Sequence, residues 1–262
     1  MSKIASWSLS MLALVAIPSL AGAGWVIEWK NTPIRKDVPQ DSEMATASIS
    51  GNKSRIEQPH LTTIYDFDKS TFTVINPVAK FFWTGDIEEY VKLSVKRRDE
   101  AMRKTMTANK DKPVGELPKL DVEKLPEVTI RRSGEQRQIA GHDTVKYVIQ
   151  INEELFQEVW LAEGLRVAAD LDPGKFVAYQ RKNSRGMIGG SAQPYNALYR
   201  SRDYQDMLAK GFPLETLTHH LAGGFQQTAQ SIKQVEIDPA SFATPSDYRR
   251  VQLQDVFKVE PE

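Results

Sequence analysis

Thr62 to Asp86 reads TTIYDFDKSTFTVINPVAKFFWTGD, and this stretch decides the fold class. β-branched and aromatic residues fill Thr62–Phe67, Phe72–Asn76 and Phe81–Trp83, while Asp68-Lys69 and Pro77 to Lys80 punctuate them as turns. The segments recur every 8–10 residues or so, a spacing that leaves no room for a helical crossover, so they must pair antiparallel.

The same grammar extends upstream. Trp25, Ile27 and Trp29 alternate with Val26, Glu28 and Lys30, a period of two that turns one face to a core. Met44 to Ile49 and Lys53 to Gln58 flank a Gly51-Asn52 turn as a further hairpin. Downstream the period changes at Asp86. Ile87, Val91, Val95, Met102 and Met106 stand at helical spacing, and Asp86, Glu88 and Glu89 suit the positive end of a helix dipole, which predicts a helix over 86–108. Its other face is rich in Lys and Arg between Lys92 and Lys104, read either as a solvated surface or as a patch for phosphate or anionic lipid. Pro113, Pro118 and Pro126 then mark an excursion, so that 86–126 stands out as a charged helix followed by a proline-rich segment.

Strands resume at Val128 to Arg132, Thr144 to Ile151 and Leu155 to Ala162. Asp172-Pro173 caps a helix predicted over 173–184, which Gly189-Gly190 should break, and a further helix is predicted over 194–210. Phe212 to Thr218, Phe225 to Ile237 and a short segment near Tyr248 to Leu253 complete the strands. The reading is α+β: one domain over 24–262, about ten antiparallel strands and three helices.

Residues 1–23, MSKIASWSLSMLALVAIPSLAGA, combine a charged start, a short apolar core and a small-x-small end. They predict a signal peptide cleaved after Ala23, because the apolar run is shorter than the roughly 20 residues of a spanning helix. No later segment approaches that length. With no cysteine in the chain there is no acylation site for a lipoprotein, no disulfide scaffold and no thiolate chemistry, so the expectation is a soluble periplasmic protein. Basic and acidic residues number 34 each, and this balance argues against a nucleic-acid partner.

Catalytic patterns are weak. His60, His142, His219 and His220 include no pair four apart for zinc on a helix, and Gly189-Gly190-Ser191 lacks the preceding strand of a nucleophile elbow. Phosphate loops and dinucleotide fingerprints are absent, and the carboxylate pairs Glu88-Glu89 and Glu153-Glu154 are adjacent residues rather than partners across a cleft. The expectation is a non-enzymatic protein without cofactor or metal. The aromatics on predicted strands are the distinctive residues: they either pack a core or wall an apolar cavity.

Three stretches carry a family resemblance: IYDFDKSTFTVINPVAKFFWTGD at 64–86, IAGHDTVKYVIQ with EELFQEVWLA at 139–162, and GFPLETLTHHLAGG with QSIKQVEIDPASFATPSDYRRVQL at 211–253. Together they resemble the exported family called domain of unknown function 4412, itself similar to the LolA/LolB and LppX group of lipoprotein and lipid carriers. The resemblance implies an incomplete, strongly curved antiparallel sheet, half-barrel-like, whose concave side is closed by helices. In the carriers that concavity accepts acyl chains. No catalytic residue transfers, and the 86–126 segment is longer than the family pattern. On this reading Trp25, Ile27 and Trp29 with Phe72 and Val74 form one wall of a ligand cavity, and Tyr147, Ile149 and Val159 face them across it. A lipid or acyl chain is the expected ligand. The alternative is a module whose core is filled by its own side chains and which binds an envelope protein through 86–126.

Overall fold

The alternating segments all become strands of one sheet. In a computed structural model, which describes residues 23–34, 41–108, 125–185, 189–220 and 223–257, the first half of the chain is a meander. It comprises β1 (Ala23–Ile34), β2 (Glu43–Ser50), β3 (Lys53–Gln58), β4 (Leu61–Asp66), β5 (Thr71–Asn76) and β6 (Phe81–Asp86), followed by helix α1 (Ile87–Ala108). The second half contains β7 (Val128–Ile139), β8 (His142–Ile151) and β9 (Glu154–Glu163), then helices α2 (Pro173–Ser184), α3 (Gly189–Arg200) and α4 (Arg202–Lys210). β10 (Gly211–His220), β11 (Gly223–Glu236), the short β12 (Arg249–Arg250) and helix α5 (Leu253–Val256) close it. The predicted signal peptide and most of the proline-rich excursion lie outside the described residues.

The strands form an open, curved twelve-stranded sheet in the order β12-β6-β5-β4-β3-β2-β1-β11-β10-β9-β8-β7. The two meanders join where β1 pairs antiparallel with β11 from Ala23↔Glu236 to Ile34↔Gly224. Only β12 runs parallel to its neighbour, β6. Twelve strands replace the expected ten or so. The expected final strand shrinks to Arg249–Arg250, because Leu253 and Val256, three residues apart, turn together into the core as one helical turn.

Helix boundaries follow local chemistry. Asp172 caps α2 by accepting from Gly174 N at 2.7 Å and Lys175 N at 3.1 Å, with Pro173 in the first turn. The helix expected over 194–210 is two helices, because the Ser201 hydroxyl accepts from Tyr204 N and starts α4 afresh. Gly189 and Gly190, expected to break a helix, lie in the first turn of α3, where loss of a side chain costs least.

Both sheet edges are managed. After β11 the chain returns across the outer face, where Arg55 Nη1 donates to Ser241 O at 3.0 Å, and pairs with β6 through Arg249 N to Lys80 O at 2.9 Å. It then rounds the edge, and Asn76 Nδ2 donates to Val256 O at 2.9 Å. At the opposite edge β7 is interrupted by a bulge between Arg132 and Gln136 and carries exposed charge, which blunts edge-to-edge pairing.

Candidate ligand cavity

Register builds the site. Ile27 stands opposite Ala47, Ala47 opposite Ile56, Ile56 opposite Thr63, and Thr63 opposite Val74, so one row crosses five strands on the inner face, with the Trp29–Ala45 pair beside it. Because side chains alternate, every member points the same way. Ala45, Ala47 and Ser54 are small, and a floor of short side chains leaves volume above it that larger residues would fill. The cover comes from Leu171 and Phe176 at the start of α2, Leu208 of α4 and Tyr90 of α1. Between floor and cover lies a cavity of about 550 Å³.

One end is an aromatic cluster. Phe72 meets Tyr90 edge-on at 4.5 Å between ring centroids, Tyr65 lies 5.0 Å from Phe72, and Phe67 meets Tyr179 at 5.2 Å. These are favourable aromatic geometries. Burial pushes the Tyr65 hydroxyl up from its ordinary pKa against a hydrogen bond with Thr63, so it is neutral at physiological pH. At the other end the lining is polar without charge. Gln227 Nε2 donates to Asn31 Oδ1 at 3.1 Å, and Thr216 lies next to Gln227 on the neighbouring strand. Gln58 and Gln180 are the remaining amides in the wall. Among the described residues that line the cavity there is no Asp, Glu, Lys, Arg or His.

The cover is fastened to the strands. Trp25 Nε1 donates to Asp170 Oδ2 at 2.9 Å, Asn52 N donates to Asp170 O at 2.8 Å, and Asp172 N donates to Asn52 Oδ1 at 2.9 Å. Lys175 of α2 pairs with Asp68, holding that carboxyl below the usual range.

Of the eight residues named from sequence, Trp29, Phe72 and Val74 line this cavity. Trp25 and Ile27 lie on the same face of β1 but pack into a core with Ile49, Leu214 and Ile232. Tyr147, Ile149 and Val159 are not among the residues that line the cavity. They pack beneath the helices, where Val177, Leu198 and Met207 occupy the space above them. Tyr147 spends its hydroxyl on Glu163, donating at 2.5 Å, and burial together with that bond pushes its pKa up to about 12. Ile56, Thr63, Tyr65, Tyr90 and Phe176 were missed. The alternation of small inward residues in β2 was the signal for the floor; the cover had none, since it depends on how helices dock.

The charged groups sit elsewhere. On the outer face Lys146 Nζ meets Glu158 at 2.5 Å and His219 Nε2 meets the other Glu158 oxygen at 3.2 Å. Among the described residues no three His, Asp or Glu side chains stand together as metal ligands, and no helix is long and apolar enough to cross a membrane.

No family model matches the sequence, that of the domain of unknown function 4412 family included, and no curated protein matches it. Solved structures that match at low identity do exist. PNGF-II is 11% identical with a TM-score of 0.39, over 89% of this chain and 32% of that one. The MucA/MucB complex of Pseudomonas aeruginosa is 8% identical with a TM-score of 0.38, over 89% and 60%. A LolA superfamily protein from Nitrosomonas europaea is 7% identical with a TM-score of 0.33, over 85% and 91%. The chain thus spans about a third of PNGF-II and three fifths of the matched MucA/MucB chain. Likeness at this level carries no argument about this chain.

Proposed function

We propose that this protein is an exported, periplasmic, non-enzymatic carrier that shelters an acyl chain or comparable apolar ligand. The cavity carries the reading: an opening of about 550 Å³, walled by aromatic and aliphatic side chains with a few amides. That size falls within the ~300–1,000 Å³ of small-molecule sites. Each methylene removed from water contributes about 0.8 kcal/mol, so eight of them supply about 6 kcal/mol before the cost of association. Such a ligand needs no titratable group for binding, in keeping with a wall whose described residues include no charged side chain. The test is extraction of the full chain, purified from a periplasmic fraction without detergent, followed by lipid mass spectrometry. A stoichiometric acyl lipid supports the carrier. Protein that is lipid-free and also fails to take up the uncharged probe N-phenyl-1-naphthylamine refutes it.

A further inference from the structure

The polar residues of the cavity are not scattered. Asn31 of β1, Gln227 of β11 and Thr216 of β10 stand side by side on three adjacent strands, joined by the Gln227 to Asn31 hydrogen bond of 3.1 Å. Asn31 is buried, at 7% exposure. The bond uses one amide hydrogen of Gln227 and one lone pair of Asn31. It leaves the Asn31 amide hydrogens, the Gln227 carbonyl oxygen and the Thr216 hydroxyl facing the cavity without a partner among the described residues. This row offers donors and acceptors together, and no formal charge. Among the described residues a carboxylate or phosphate would meet the Gln227 oxygen and find no cation in the wall, and an ammonium would meet the Asn31 hydrogens and find no anion. A hydroxyl, ester or amide can answer both kinds of group at once. Among the described residues the exposed part of the lining includes the aromatic rings of Phe225 and Phe257 and no charged side chain.

Resting on the carrier reading, we infer that the ligand is an uncharged amphiphile: an acyl chain ending in an ester, amide or hydroxyl head, which the Asn31–Gln227–Thr216 row recognises. Fatty-acid anions and cationic amphiphiles of the same chain length are discriminated against.

The experiment displaces N-phenyl-1-naphthylamine from the full chain at pH 8 with three twelve-carbon amphiphiles below their micelle concentrations: 1-monododecanoylglycerol, dodecanoate and dodecyltrimethylammonium. The glycerol ester should displace the probe at a concentration at least tenfold below either ion. In Asn31→Leu, and independently in Thr216→Val, that preference should fall below threefold while the probe still binds. Equal displacement by dodecanoate in the parent overturns the inference and leaves the carrier reading standing, because the head then projects into water and is not read. A preference that survives both substitutions overturns it too. A parent chain that is lipid-free and does not bind the probe overturns the carrier reading, and this inference falls with it.

Discussion

Replacing Ile56 with tryptophan distinguishes an open cavity from a filled core within one protein. Ile56 faces the cavity from β3 with Ala47 on one side and Thr63 on the other, so a larger ring has short neighbours to spread over. Tryptophan also suits a strand. Ile149 is the control: it is fully buried and packs in the same core as Leu198 and Met207. Overpacking such a site costs about 1–3 kcal/mol, whereas Ile56→Trp should change stability by less than about 1 kcal/mol. On binding the order reverses. If the new ring displaces four methylenes of ligand, about 3 kcal/mol is lost, on the order of a hundredfold in Kd. Ile149→Trp should leave Kd within about threefold, less than 1 kcal/mol. Urea unfolding and N-phenyl-1-naphthylamine titration measure the two effects. Equal destabilisation by both substitutions would refute the open floor, and unchanged probe affinity in Ile56→Trp would place the ligand elsewhere.

The strand segments were legible because each needs only its own alternation and a flanking turn. Trp25, Ile27 and Trp29 announced the inner face of β1, and the two-residue punctuation at Gly51-Asn52 and Asp68-Lys69 announced hairpins that the structure contains. Helix α2 runs over 173–184, as its Asp-Pro start predicts. The Ser201 cap was equally local, but it was not read as one, and two helices were read as a single helix over 194–210. The site was legible only in part, for a physical reason. An inward-facing residue is marked by its strand parity, but whether helices fill the space above it is decided by tertiary docking. Phe72 and Ile149 have the same signature in the sequence. Leu198 and Met207 come down on the second, whereas Tyr90 closes on the first only from the edge of a cavity.

Three further outcomes follow from particular groups. The Tyr179 hydroxyl is buried with no hydrogen-bond partner among the described residues, so Tyr179→Phe should be neutral or stabilising by about 1 kcal/mol in urea unfolding; a loss of that size would show that the hydroxyl is partnered. Hydrogen bonds from Arg132 and then Tyr147 hold Glu163 below the usual carboxylate range, while for Glu158 burial pushes up but Lys146 and His219 prevail. Both folded values are depressed, so their stabilisation is present above the unfolded value of about 4.3 and lost as pH falls through the folded ones. Tm should therefore drop on the acid side, and the Glu158→Gln, Glu163→Gln double variant should flatten that limb; an unchanged limb would rule these pairs out. The last concerns how α2 is held over the cavity. Asn52 has φ 57°, a left-handed conformation that asparagine tolerates, and from there its side chain accepts from Asp172 N and donates to Asp68 while its backbone holds Asp170. Asn52→Gly keeps the backbone comfortable and deletes only the side-chain bonds, each worth about 0.5–1.5 kcal/mol net. It should speed amide exchange at 173–180 and the release of N-phenyl-1-naphthylamine together, with little loss elsewhere in the sheet. Asn52→Ala adds left-handed strain and should cost further global stability without further opening. Exchange in α2 that is unchanged by the glycine variant would mean that the cover is held by Trp25, Lys175 and packing, and that Asn52 shapes the turn alone.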